Sequence, residues 1–127
     1  MGKTIINKAF FGKSNCLKVT LSEERDLYLH FGVPMNGNTK QGDEWIWKKV
    51  KMNDDELGDI INVLEHRKDS ISFFHEFHGD KTSININRKE QFLFIKAKDI
   101  TKSLSEAEQR VLLELLRYAI LRMNMSL

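Results

Sequence analysis

Apolar and polar residues alternate with a period of two in six short segments of the chain, as in β-strands with one buried face. The segments cover residues 16–21, 27–33, 44–52, 70–77, 82–87 and 91–97. After each group of three, apolar residues recur every three to four positions, which indicates an amphipathic helix. The pattern therefore predicts a strand-strand-strand-helix unit that occurs twice.

Both predicted helices begin at a residue suited to helix capping. Asn53 and Ser105 carry side-chain oxygens that accept hydrogen bonds from the first helical turn, and Glu56 and Glu108 follow three positions later to complete capping boxes. The first helix should end near residues 67–69. Antiparallel strands followed by helices predict an α+β fold, in which a helix packs on one sheet face and leaves the other face free.

The 127 residues are enough for a single domain, 1–127, with its own core. Residues 1–14 contain lysines and no acidic residue, so we expect a basic N-terminal arm there. The first strands-helix unit would then cover 15–68, and the second would cover 69–127. Residues 34–43 form a polar connection between two strands, either a mobile loop at a binding surface or a plain hairpin loop.

The segment 44–52 would carry different chemistry on its two faces. Its inward residues would be Ile46, Val50 and Met52. Its outward residues would be Trp45, Trp47, Lys49 and Lys51. Indoles stack on unpaired bases and lysines neutralise phosphates, so the outward face is typical of a nucleic-acid platform. The alternative is an edge strand protected by lysines, with its tryptophans covered by a helix or a subunit.

The same alternation predicts the outward residues of the other strands. In the first unit these are Lys18, Thr20, Tyr28 and His30. In the second unit they are Phe74, Ser83, Asn85, Asn87, Phe92, Phe94 and Lys96. Phenylalanines among asparagines and a lysine again suggest contact with nucleic acid. The alternative for Phe92 and Phe94 is an internal contact between sheets.

The net charge of +2 is too small to indicate a polyanionic partner, but the charges are unevenly distributed. Acidic residues concentrate at the two helix starts, where they complement the helix dipole, and the strands are left basic. No apolar run approaches membrane-spanning length, and the first residues lack the apolar region of a signal peptide. We therefore expect no membrane contact and an intracellular location, in the cytoplasm, nucleoid or nucleus.

The sequence contains no motif for catalysis or for a cofactor. His75 and His78 lie three apart in a predicted strand and would point to opposite faces, so they do not predict a metal site. The single cysteine, Cys16, cannot form an internal disulfide. Carboxylates such as Asp54 and Glu106 raise the alternative of a nuclease, but helix capping accounts for them. We expect a protein without catalytic residues, metal or cofactor.

Residues 27–31 and 44–57 resemble the core of the transcriptional coactivator family called positive cofactor four. In that family a basic pair lies a few residues before the helix cap, and Lys48-Lys49 occupies the similar place here. The doubled unit also resembles the related Whirly proteins. These resemblances imply a curved antiparallel sheet followed by a helix, a homodimer or larger oligomer, and single-stranded DNA bound on basic and aromatic strand ridges. They add Lys48 to the candidates, whereas the alternation favours Lys49.

The second helix carries more apolar surface than contact with one sheet face requires. We therefore expect a homodimer formed by this helix, although a buried core helix is the alternative. The predicted dimerisation residues are Leu113, Leu116, Ile120 and Leu121. Together, the sequence predicts a sequence-tolerant single-stranded-DNA-binding homodimer that stabilises unwound DNA in replication, recombination or transcription. An RNA-binding module and a pure assembly protein are the alternatives.

Overall fold

The computed structural model of the chain describes residues 3–35, 44–77 and 79–125. Within these ranges the strands and helices are β1 (Thr4–Phe11), β2 (Cys16–Ser22), β3 (Leu27–Pro34), β4 (Trp45–Met52), α1 (Asp54–Leu64), β5 (Ser70–Phe77), β6 (Asp80–Lys89), β7 (Phe92–Ala97), β8 (Ile100–Leu104) and α2 (Glu106–Asn124). Most of the predicted connection 34–43 and His78 lie outside the described residues.

The strands form two antiparallel sheets of four strands each, in the orders β1-β2-β3-β4 and β5-β6-β7-β8. A helix follows each sheet, so the predicted α+β fold with a repeated unit is confirmed. Each unit has one strand more than the sequence pattern predicts. In the first unit the extra strand is β1, which forms where a basic arm is predicted; in the second it is β8.

The predicted helix starts are confirmed in atomic detail. The Asn53 side chain accepts a hydrogen bond from the Glu56 N–H at 2.8 Å, and the Asn53 N–H donates to the Glu56 carboxylate at 2.9 Å. Ser105 and Glu108 form the same reciprocal box at the start of α2. Helix α1 ends at Leu64, earlier than predicted, and His66 takes a left-handed backbone conformation (φ 64°) two residues later.

One apolar core joins both sheets and both helices. Helix α1 packs against α2 and contacts β5 and β6, whereas α2 contacts β7 and β8. On the inner face of β4, Val50 and Met52 are buried as predicted, but Ile46 is 54% exposed. Ile46 has the same side-chain direction as Val50 but lies at the opposite end of the strand, and burial on this face begins only at Val50. The helices of the described ranges include none that is long and apolar enough to cross a membrane.

Candidate nucleic-acid interface

The outer face of the first sheet carries aromatic and basic side chains from adjacent strands. Backbone pairing across β2, β3 and β4 sets them in two neighbouring rows: Lys18, His30 and Lys49, then Thr20, Tyr28 and Lys51. The tryptophans of β4 continue this face toward the start of that strand. We call this surface the aromatic face; its residues are Phe11, Lys18, Thr20, Tyr28, His30, Trp45, Trp47, Lys49 and Lys51. The sequence alternation predicts all of them except Phe11.

The rings of the aromatic face contact one another. Trp45 and Trp47 stack, with ring centroids 5.8 Å apart and planes 28° from parallel. The rings of His30 and Trp47 are perpendicular, with centroids 6.2 Å apart, and the Tyr28 ring lies 6.1 Å from His30. Phe11, from β1, lies 5.9 Å from Trp45. The result is a continuous row of rings, of which Trp47 keeps 39% of its surface exposed.

Gly32 determines how closely Trp47 approaches the sheet. It pairs with Trp47 across β3 and β4, and the indole lies directly over it. A Cβ at this position would lie 2.7 and 2.8 Å from two indole carbons, closer than real Cβ contacts allow, and 3.1 Å from a third. Gly32 is not among the residues predicted from the sequence, although a glycine inside a strand is a recognised sign of close approach.

Lysine side chains border the rings. The Lys18 ammonium lies 5.4 Å from the centre of the Trp47 ring, and the Lys49 ammonium lies 4.2 Å from that of Tyr28. Both distances fall in the range of cation–π attraction. Lys51 pairs with Asp26 at 3.0 Å, and this hydrogen bond and charge raise the pKa of Lys51. Positive charge is therefore held beside the ring surfaces.

His30 contributes a neutral polar ring at the centre of the aromatic face. Its Nε2 lies 2.8 Å from the Thr20 hydroxyl. Partial burial, together with the charges of Lys18 and Lys49, lowers the pKa of His30 to about 4. The imidazole is therefore uncharged at neutral pH and adds a stacking and hydrogen-bonding group between two cations.

Because the pKa of His30 is low in the folded chain, we expect the stability of the fold to depend on pH. The unfolded chain binds a proton at this side chain near pH 6.5 and the folded chain only near pH 4, so acidification across this window favours unfolding. Between pH 6.5 and pH 4 the wild type should lose about 1 kcal/mol more stability than His30→Gln, after allowance for solvent screening of the half-exposed ring. Denaturant unfolding at several pH values measures the difference.

His66→Gln is the matched control, because it changes the same side chain in the exposed turn after α1. It should keep the pH dependence of the wild type. Equal pH dependence in wild type and His30→Gln would contradict the prediction.

The predicted residues of the second unit lie on the outer face of the second sheet. Phe74 is 65% exposed, and Asn85 and Lys96 are exposed neighbours on β6 and β7. Phe92 and Phe94 line a groove together with the turn that joins β1 and β2. This turn docks on the second sheet, because the Asn15 side chain donates a hydrogen bond to the Thr101 carbonyl. The candidate residues therefore occupy two sheet faces.

Lys48 lies on the opposite side of β4 from the aromatic face, as the alternation predicts. It pairs with Asp80, at the start of β6, and is only partly exposed. Lys48, the candidate that the family resemblance adds, therefore lines a cleft beside the sheet. Lys49 lies on the aromatic face and is exposed.

The four predicted dimerisation residues divide between the core and the surface. Leu113 and Leu116 are 7% and 0% exposed, because they lie on the side of α2 that packs into the intramolecular core. Ile120 is partly buried against the same core, and Leu121 is 58% exposed. The expectation that Leu113 and Leu116 lie at a subunit surface does not fit these positions.

Two carboxylates at the start of α1 and the His75 ring make contacts within the fold. Glu56 caps α1 and also lies 2.7 Å from His75 Nε2. Asp54 accepts a hydrogen bond from the Asn124 side chain. Within residues 3–35, 44–77 and 79–125, no three His, Cys, Asp or Glu side chains come together as a group that could hold a metal ion.

No protein-family model matches the sequence, and no curated protein sequence matches it. Solved structures nevertheless share its fold. The plant transcriptional regulator PBF-2 is 14% identical, with a TM-score of 0.71 over 95% of this chain and 83% of the other. MRP1/MRP2 of Trypanosoma brucei is 13% identical, with a TM-score of 0.68 over 95% and 85%. A guide-RNA-binding protein complex bound to a guide RNA is 14% identical, with a TM-score of 0.70 over 91% of each chain.

PBF-2 is a Whirly protein, so the Whirly-like fold implied by the sequence resemblance is confirmed. At these identities the likeness concerns the fold alone.

Proposed function

We propose that this protein binds single-stranded DNA on the aromatic face without strong sequence preference. The observation that carries the proposal is the continuous row of rings on this sheet face, with the Lys18 and Lys49 ammonium groups at ring distances of 5.4 and 4.2 Å. An ordinary solvated sheet face does not concentrate indoles in this way. Bases of an unpaired strand would stack on the rings while its phosphates meet the lysines.

The chemistry of the aromatic face also supports tolerance of sequence. Every base offers a π-face, so stacking contributes about 1–3 kcal/mol per base whatever the base is. Lysines contact phosphates, which carry no sequence information. Asn85 could read a base edge, but it lies on the second sheet and its Oδ1 accepts a hydrogen bond from Ser72. Duplex DNA would present its stacked bases edge-on and gain little from the rings.

RNA is the second candidate ligand. One of the similar structures is a guide-RNA-binding protein complex bound to a guide RNA, which shows this fold beside RNA in another protein. Rings and lysines serve RNA as well as DNA, because neither group reads the 2′-hydroxyl.

We propose that binding involves no catalysis and that the protein acts as a homodimer. Glu56 and Glu108 complete the capping boxes, and Asp54 accepts a hydrogen bond from Asn124, so these carboxylates are already engaged within the fold. The exposed side of α2 carries the apolar side chains Val111, Tyr118 and Leu121, and the exposed Met125 follows the helix. Joining two aromatic faces would raise the affinity for one strand through effective concentration. Stabilisation of unwound DNA in replication, recombination or transcription fits this activity.

A titration of labelled single-stranded DNA, RNA and duplex DNA at two salt concentrations tests the proposal. We expect single-stranded DNA to bind more tightly than duplex, and the strands to be recovered uncut after incubation with magnesium, manganese or zinc. Equal or tighter RNA binding would favour the second candidate. Preference for duplex DNA, or no binding of any strand, would contradict a role for the aromatic face.

Lys49→Ala should weaken binding severalfold and reduce the steepness of the salt dependence. Each lost phosphate contact to a single strand lowers the slope of log K against log salt by about 0.7. Lys68→Ala is the matched control, because Lys68 is an exposed lysine in the connection between α1 and β5. It should leave both the affinity and the slope unchanged. Equal slopes in Lys49→Ala and the wild type would remove Lys49 from the phosphate contacts.

A further inference from the structure

A cleft of about 480 Å³ lies beside the aromatic face, between strand β4 and the hairpin of β5 and β6. Strand β4 is an edge strand of the first sheet, and β5 is an edge strand of the second. The ionisable side chains of β4 that line the cleft are Lys48, Lys49 and Lys51. The opposite wall contributes His75, Glu76 and Asp80.

Asp80 joins Lys48 of β4 to Lys98, which lies in the turn between β7 and β8. One carboxylate oxygen pairs with the Lys48 ammonium, and the other accepts from the Lys98 ammonium at 2.8 Å. These two hydrogen bonds lower the pKa of Asp80 to about 2, so the carboxylate is ionised at every physiological pH. Its side chain is 51% exposed, and the anion position between the lysines is therefore accessible from solvent.

We propose that this cleft is a phosphate-binding site for the strand that lies on the aromatic face, and that Asp80 occupies the phosphate position between Lys48 and Lys98 in the free protein. The inference rests on the proposed function and names a further part of its site. Tyr28 and Lys49 belong to both the aromatic face and the cleft. A strand that crosses the edge of β4 therefore reaches Lys48 next.

Charge explains why Asp80 would limit the affinity. A phosphodiester carries one negative charge, as the Asp80 carboxylate does, so it can replace that carboxylate between the two lysines. The displaced carboxylate stays beside the phosphate and repels it. Exposed ion pairs of this kind are weak enough to exchange with a competing anion.

Asp80→Asn is the test, because it removes the competing charge and keeps the size of the side chain. It should tighten binding of labelled single-stranded DNA by about three- to tenfold at low salt, and the gain should shrink as salt is added. Glu65→Gln is the matched control. Glu65 also pairs with two cations, Arg67 at 3.6 Å and Arg117, but it lies at the end of α1 and does not line the cleft.

Lys48→Gln supplies the second arm of a double-mutant cycle. If Asp80 limits binding because it pairs with the lysines, Asp80→Asn should raise the affinity less in the Lys48→Gln background than in the wild type. The melting temperature of each variant tests the alternative, in which the Asp80 ion pairs only stabilise the contact between the two sheets.

The inference is overturned if Asp80→Asn changes the affinity no more than Glu65→Gln does, or if it lowers the melting temperature without tightening binding. It is also overturned if the gain is the same with and without Lys48. These results would leave the proposed function in place, provided that Lys49→Ala still weakens binding. A wild-type protein that binds no single strand would instead contradict the proposed function itself.

Discussion

Replacing Trp47 by alanine is expected to weaken binding of single-stranded DNA by about tenfold or more, which corresponds to the loss of one stacked base. The folded state should lose little stability, because Trp47 is 39% exposed and packs mainly on Trp45, His30 and the backbone at Gly32. Salt dependence should stay close to that of the wild type, since the indole neutralises no phosphate. Titration and thermal melting of the same samples measure both effects.

Gly32→Ala tests the same contact while keeping the indole. Its methyl group would push the Trp47 ring away from the sheet, so single-strand binding should weaken although Trp47 is still present. Gly58→Ala is the control, because the methyl group added on helix α1 would meet no atom within 4 Å apart from its chain neighbours and the backbone of its own helix. It should leave binding unchanged and stabilise the helix by about 0.5–1 kcal/mol. A large loss of stability in Trp47→Ala with unaltered affinity would place the indole in a structural role instead.

Substitutions at two leucines of α2, one buried and one exposed, are expected to have different effects on stability and assembly. Leu116→Ala should destabilise the folded chain by about 2–5 kcal/mol, because Leu116 is fully buried and its removal leaves a cavity. Leu121→Glu should change the stability of the subunit little, because Leu121 is 58% exposed. In a dimer formed by the exposed side of α2, Leu121→Glu should instead yield monomers that bind single strands more weakly. Denaturant unfolding and light scattering separate the two effects.

The mass of the wild-type protein in solution tests whether it forms a homodimer. A monomeric mass by light scattering would contradict a homodimer. A Leu121→Glu protein that stays dimeric with full affinity would exclude this side of α2 as the interface.

The strands and helices follow from the sequence where the pattern is periodic and local. Asn53 and Ser105 begin the helices because capping depends on residues three positions apart. Strand β8 is not predicted by such a local pattern. It is five residues long, and it buries Lys102, whose ammonium donates to the Ser103 carbonyl. Strand β1 lacks the alternation in its sequence because the polar Lys8 lies on the same side of the strand as the buried Ile6 and Phe10.

The candidate site divides in the same way. Alternation places Trp47 and Lys49 on one face and Lys48 on the other, because successive side chains of a strand point to opposite sides. It does not say that Trp47 lies on Gly32, which depends on how β3 and β4 pair.

By itself, the sequence determined the repeated strand-and-helix unit, the two helix starts and the composition of each sheet face, since these depend on neighbours along the chain. Only the tertiary structure decided that Leu116 is core while Leu121 is surface, and that Asp80 reaches Lys48 across a cleft. Apolar residues recur along α2 with the same period whether the helix packs on its own sheet or on another subunit. An ion pair between residues 32 positions apart likewise leaves no periodic trace, because it forms only when the two sheets meet.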